Sequence, residues 1–170
     1  ADAHALPLRD GSVDLIFSSL MLQWCDLSRA LRECHRVLRP GAAMCFATVL
    51  DGTLREIDKA FATVDRHRHT LPFLDEAAVV AALGEAGLVA HQVERSRQVE
   101  YFDEVRSLLQ SNRDIGASRV PLHPRRATLG RAAWQSVCAE FEAQRTPLGI
   151  PLTYELAWVV AYRPGQGDPG

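Results

Sequence analysis

The chain has 170 residues, the length of one domain, and 47% of them are apolar, enough for a real core. No apolar run approaches the ~18 residues of a membrane span, and a net charge of −2 argues against wholesale nucleic-acid binding. Four cysteines (Cys25, Cys34, Cys45 and Cys138) lie scattered without a CxxC spacing, which fits reduced thiols better than a disulfide framework or a zinc site.

The chain opens on Ala1-Asp2-Ala3-His4-Ala5-Leu6-Pro7 without a starter methionine, and reads as though it begins inside a longer fold. A turn over 9–12 leads into the apolar run 13–17, of buried-strand type. A helix follows, with Leu27, Ala30, Leu31, Cys34, Val37 and Leu38 at helical spacing; Asp26 or Ser28 caps its start and Arg39-Pro40-Gly41 ends it. Residues 43–49 read as a second strand and 52–64 as helix. His67 and His69 read as solvated. Asp75 caps a further helix that Gly87 closes. A strand over 89–99, a helix near 104–112 and another after Thr128 precede the last element. There Tyr154, Leu156, Trp158, Val160 and Tyr162 alternate with Thr153, Glu155, Ala157, Val159 and Ala161, as in a strand inside a sheet. The Gly/Pro-rich residues 164–170 read as a disordered tail.

Strands alternating with helices point to an α/β protein with a parallel sheet, whose ligands bind beyond the carboxyl ends of the strands. That directs attention to 18–24, just after the first strand. No Walker loop, GxSxG or HExxH occurs in the chain.

Asp2-Ala3 with Leu6-Pro7, then Val13-Asp14-Leu15-Ile16-Phe17-Ser18, then Leu22-Gln23-Trp24, then Arg36-Val37-Leu38-Arg39-Pro40-Gly41 form an ordered set. In that order and spacing they resemble the second half of the class I S-adenosylmethionine (SAM) methyltransferases. The resemblance implies a Rossmann-like α/β fold, represented here from its fourth strand onward, with the amino-terminal strands and glycine-rich loop outside this chain. Residues 18–25, Ile115-Gly116-Ala117-Ser118 and Pro151-Leu152-Thr153-Tyr154-Glu155-Leu156 are similar to segments of the malonyl-acyl-carrier-protein O-methyltransferases of biotin synthesis. Members of that family often carry Asn where Ser19 stands, and Asn-Arg-Phe-Leu where Leu71-Pro72-Phe73-Leu74 stands. The implied organisation is one methyltransferase domain over 1–163 with a helical substrate cap at about 103–146.

The resemblance further implies SAM as cofactor, held in part by Asp2 and Ala3 at the adenine and by Ser19 and Leu20. Gln23, Trp24 and Tyr154 then face the substrate. By residue chemistry alone Asp2 reads as a solvated acid and Tyr154 as core, while Leu20 and Trp24 are equally core. The implied acceptor is the free carboxylate of malonyl-acyl-carrier protein. With a pKa near ~4 it is ionised at neutral pH, so no catalytic base is assigned. Cys25, with no evident His partner, is not read as a nucleophile.

From Ile115 to Ala139 there is no Asp or Glu, while Arg119, Arg125, Arg126 and Arg131 fall inside, with His123. Such a patch suits an acidic carrier protein. A surface decorated by an arginine-rich genome is the plain alternative. Two competing functions stay open: a small-molecule carboxyl methyltransferase of the trans-aconitate type, which carries a similar Leu-Gln-Trp, and a non-catalytic binding or assembly module. Further expectations are a cytoplasmic location, poor SAM binding by these 170 residues alone, no nucleic-acid or membrane partner, and self-association through the edge of the 13–17 strand.

Overall fold

The computed structural model describes residues 2–64, 69–114 and 130–165. Its elements are β1 (Val13–Ser19), a single 3-10 turn (Leu22–Trp24), α1 (Leu27–Val37), β2 (Leu38–Val49), α2 (Arg55–Phe61) and α3 (Glu76–Glu85), then β3 (Val89–Phe102), α4 (Val105–Asp114), α5 (Arg131–Ala143) and β4 (Ile150–Tyr162). The strands form one sheet in the order β1-β2-β4-β3. Two compact units result. The first comprises Ala1–Asp51, Phe73–Ser96 and Glu155–Gly170, the second Gly52–Pro72 and Arg97–Tyr154. Among the described residues no helix is long and apolar enough to cross a membrane.

In the first unit, α1 begins where Asp26 accepts the Arg29 N–H at 3.0 Å, so Asp26 rather than Ser28 is the cap. Its apolar stripe buries Ala30, Leu31, Cys34 and Val37 against the sheet and α3. The helix then ends among donors. Gly11 and Ser12 give their N–H groups to the carbonyls of Arg36 and Val37, each at 2.9 Å. The Arg163 guanidinium reaches the carbonyls of His35 at 3.0 Å and Leu38 at 2.7 Å. Carbonyls that a helix leaves orphaned are satisfied here by the turn before β1 and by the residue just past β4.

The expected helix terminator Arg39-Pro40-Gly41 is not a turn. The chain leaves α1 directly into β2, and the β1–β2 register shifts between Val13 and Leu15 to absorb the extra residues. Pro40 has no N–H to give a ladder, and Gly41 takes a φ of +80° while donating to the Arg163 carbonyl at 2.7 Å.

β1 and β2 pair in parallel, as expected, but β2 and β4 are antiparallel. Period-two alternation marks a strand without giving its direction, so the expected parallel pairing holds for β1 with β2 and not for β4. α3 matches its reading: Asp75 accepts the Ala78 N–H at 2.7 Å and Gly87 takes a φ of +77°. A Cβ on Gly87 would meet the His35 ring at 3.2 Å.

The two faces of the sheet are unequal. Met44, Phe46, Ala157, Val159 and Ala161 are buried beneath α1 and α3. On the opposite face Leu15, Phe17 and Trp158 are 59%, 74% and 49% exposed, beside Cys45, Ala47 and Val160 in a shallow cleft of about 210 Å³. The two edges differ as well. β1 offers apolar side chains, whereas β3 exposes Gln92, Glu94, Arg95, Arg97, Gln98 and Glu100. Arg95 reaches across to the buried Glu155 of β4 at 3.2 Å.

In the second unit, α2 and α5 pack together, and Phe141, Ile150, Leu152, Leu108 and Ile57 are its buried core. Glu56, itself buried, accepts the Thr153 N–H at 3.0 Å and the Thr153 hydroxyl at 2.5 Å. His69, expected in solvent, stacks on Phe61 with ring centroids 4.0 Å apart. His67, lying between 65 and 68, falls outside the described residues, as do 166–170 of the expected tail.

One arginine ties the segment before β1 to α1. Arg36 donates to the carbonyls of Leu8 at 2.9 Å and Leu6 at 3.1 Å, pairs with Asp10, and grips both oxygens of Glu33 at 2.6 and 2.9 Å. Glu33 also accepts the Leu6 N–H at 2.7 Å. The Arg36 hydrogen bonds, and then that of Leu6, pull the Glu33 carboxyl from its usual 4.5 down to about 2. A depressed carboxyl contributes stability that is present above its unfolded value and lost as pH falls through the folded one. Glu33→Gln should therefore be less stable than wild type at neutral pH, and the gap should close between about pH 4.5 and 2. Urea unfolding at a series of pH values measures this; a gap independent of pH contradicts it. The exposed β1 edge generates a second prediction. The 170-residue chain should self-associate at high concentration, and Phe17→Asp should shift it toward monomer. Light scattering that finds wild type monodisperse and monomeric overturns this.

Candidate functional site: the cleft at the carboxyl ends of β1 and β2

Parallel pairing of β1 with β2 brings their carboxyl ends side by side, with Ser19 opposite Ala47. The last rung is the Leu20 N–H to the Ala47 carbonyl at 3.0 Å. Leu20 then adopts a φ of +49°, a left-handed conformation that a branched side chain seldom takes. This turns the chain off the sheet and leaves the Leu20 side chain 44% exposed rather than in the core. The turn Leu22–Trp24 follows. Gln23 closes it by donating Nε2 to the Leu20 carbonyl at 2.6 Å, while its Oε1 is buried without a partner among the described residues. Trp24 is 47% exposed, so the core alternative for it is also ruled out.

Across the cleft lies the turn Asp2–Ala5, closed by the Ala5 N–H to the Asp2 carbonyl at 3.1 Å. Asp2 Oδ1 accepts from the His4 backbone N–H at 2.9 Å and sits 2.8 Å from His4 Nδ1. These donors, the backbone one first, hold the Asp2 carboxyl below its ordinary range. Between the two turns is a cleft of about 360 Å³, walled by Ala3, Leu6, Ile16, Met21, Leu22 and Met44, with Ser18 and Ser19 at its floor and rim. Ser18 is buried, and among the described residues its hydroxyl has no partner. An orphaned buried hydroxyl in an apolar cleft marks a place where a ligand's polar atom is satisfied.

Of the expected residues, Ala3 and Ser19 line this cleft, Asp2 adjoins Ala3 in the turn, and Leu20, Gln23 and Trp24 form the adjoining loop. The Gln23 amide, expected to reach for substrate, spends one donor on its own loop. Tyr154 belongs to the second unit. It follows Thr153, which Glu56 anchors, and burial, with Glu100 and Glu56 nearby, pushes its phenol up to about 12. A phenol so held stays a neutral donor at physiological pH. Arg131 is the exposed first residue of α5; Arg119, Arg125 and Arg126 lie outside the described residues. Burial also raises the Cys25 thiol, whose sulfur lies 3.4 Å from that of Met21, against any role as a thiolate. Sequence reasoning missed Ser18 and His4. For Ser18 the signal was present, since it shares the buried face of β1 with Ile16 by strand parity.

Residues 1–46 match the family of methyltransferase domains. The chain is 39% identical over 160 residues, 94% of its length, to the malonyl-acyl-carrier-protein O-methyltransferase of Dechloromonas aromatica, of which this match covers 61%. It spans about 60% of the length of such curated relatives. Among solved structures, a protein of Bacillus halodurans C-125 assigned to the methyltransferases superposes with a TM-score of 0.61 at 12% identity, over 96% of this chain and 76% of that one. The [4+2]-cyclase SpnF superposes with 0.52 at 20% identity, over 97% of this chain and 56% of its own. The fold is therefore the class I methyltransferase fold, and a cyclase among its neighbours shows that fold alone does not fix the reaction.

Proposed function

We propose that this chain is part of a class I methyltransferase and that the protein carrying it moves a methyl group from SAM to the free carboxylate of a malonyl thioester on acyl carrier protein. The observation that supports this most is homology along 94% of the chain to an enzyme of that name, joined to a cleft at the carboxyl ends of parallel strands. The cleft suits the cofactor's adenine. Ala3, Leu6, Ile16 and Met21 offer flat apolar contact, Asp2 an acceptor for an exocyclic amino group, and Ser18 an unsatisfied hydroxyl.

When bound, SAM supplies an electrophilic methyl group on a sulfonium. The acceptor carboxylate is already ionised, so the residues here need not move a proton. Their work is to align the two reactants and keep water out. Ser19 and the left-handed Leu20 set the rim past β1, and Gln23 holds that rim in shape. Trp24 presents an exposed indole to the substrate side, and Tyr154, which belongs to the second unit, keeps its phenol as a neutral donor.

Arg131 supports the choice of a carrier protein. A cation on the first turn of a helix opposes the helix dipole by roughly 0.3–1 kcal/mol, so its place on α5 does not serve that helix. With Arg119, Arg125 and Arg126 it steers an acidic partner. Transfer of radiolabelled methyl from SAM to malonyl-acyl-carrier protein by the full-length protein tests the reading. Arg125→Glu with Arg131→Glu should raise KM for that substrate about tenfold or more while sparing a small malonyl thioester, and added salt should mimic the effect. Equal loss on both substrates means that the arginines do not recruit a carrier. By themselves the 170 residues should bind SAM weakly, because no acidic side chain for its ribose lines the cleft among the described residues. Low-micromolar affinity by isothermal titration contradicts this.

A further inference from the structure

We propose that His4 is a positioning residue that fixes one rotamer of Asp2, so that the carboxylate selects a 6-amino purine over a 6-oxo one. The inference rests on the reading above that Asp2 faces the cofactor's base, and adds to it a residue outside the motif. His4 Nε2 lies 3.1 Å from the backbone N–H of Asp26. A backbone amide only donates, so Nε2 must offer its lone pair, and the ring proton therefore sits on Nδ1. That proton points at Asp2 Oδ1, 2.8 Å away, which also receives the His4 backbone N–H at 2.9 Å. One carboxylate oxygen is thus engaged by two donors. Among the described residues the other, Oδ2, has no partner.

The ring takes its own position from a rigid reference. Asp26 is the cap of α1, accepting the Arg29 N–H at 3.0 Å, and the helix behind it buries Ala30 and Leu31 completely. The Asp2 side chain is 65% exposed and the His4 ring only 21%, so the mobile acid is held by the fixed ring. The charged groups about the ring are Asp2 and Asp26, with Arg29 near Asp2. A carboxylate oxygen held in place accepts from an amino group and repels a carbonyl. One free to rotate discriminates less.

The test compares SAM with its 6-oxo (hypoxanthine) counterpart on the full-length protein. Wild type should prefer SAM in kcat/KM. His4→Ala should raise KM for SAM about tenfold, with a much smaller fall in kcat, and narrow the preference by a similar factor, the worth of one hydrogen bond to a charged group. His4→Asn places an amide nitrogen where Nδ1 stood and should restore most of the preference, which a mere folding defect would not allow. The preference persisting in His4→Ala, or both cofactors losing equally, overturns the proposal, as does a nitrogen NMR spectrum showing His4 protonated on Nε2. Asp2→Asn separates the two readings. If it leaves the preference intact, Asp2 does not face the base and both fall; if it abolishes a preference that His4→Ala retains, only the role of His4 falls.

Discussion

Everything at the site hangs on how the carboxyl half of α1 is held. Arg36 is the hub: its planar fork meets Glu33 on its own helix and the carbonyls of Leu6 and Leu8 on the segment that leads into β1. A lysine, with one nitrogen, could not span these partners. Because Leu6 is gripped from both directions, the turn Asp2–Ala5 is set at a fixed distance from the helix cap. The same helix end is closed by Gly11, Ser12 and Arg163, so strand entry, helix exit and the end of the sheet meet in one hydrogen-bonded knot. The short polar segment before β1 therefore behaves as part of the core although much of it faces solvent.

How much of this was legible in the sequence depends on the range of the interaction. The stripe Leu27–Val37, the caps Asp26 and Asp75, and Gly87 were readable because each follows from neighbours within one or two turns. The direction of β4 was not, since a strand buried in a sheet alternates identically whichever way it runs. The start of β2 at Leu38 was hidden by Pro40 and Gly41, which signal a turn in isolation and a bulge when a neighbouring strand supplies the ladder. Glu56 with Thr153 joins residues 97 apart, and no local pattern announces it. At the site, motif order placed the loop past β1 correctly, but side-chain commitments were invisible: Gln23 turned inward to its own backbone, and His4 looked like an ordinary polar residue in a turn.

On the proposed reading, the site's chemistry is one of placement rather than of proton transfer. A left-handed leucine at the end of a parallel strand is a costly conformation, persisting because the β1–β2 ladder and the Gln23 amide over-determine it. The residue types agree with that economy. Thiols nearby are pushed away from ionisation, and the Asp2 carboxylate is engaged by donors.

The unlike edges of the sheet give it a polarity of growth. A strand arriving beside β3 must bury Glu94, Arg95 or Glu100, whereas one arriving beside β1 covers Leu15 and Phe17 and gains from doing so. Addition is therefore one-ended. For these 170 residues taken alone, any peptide, tag or fused module with strand-forming character will seek the β1 side, and grafts on the β3 side will stay independent. For anyone building on this scaffold, the choice of end decides between a merged sheet and two separate bodies.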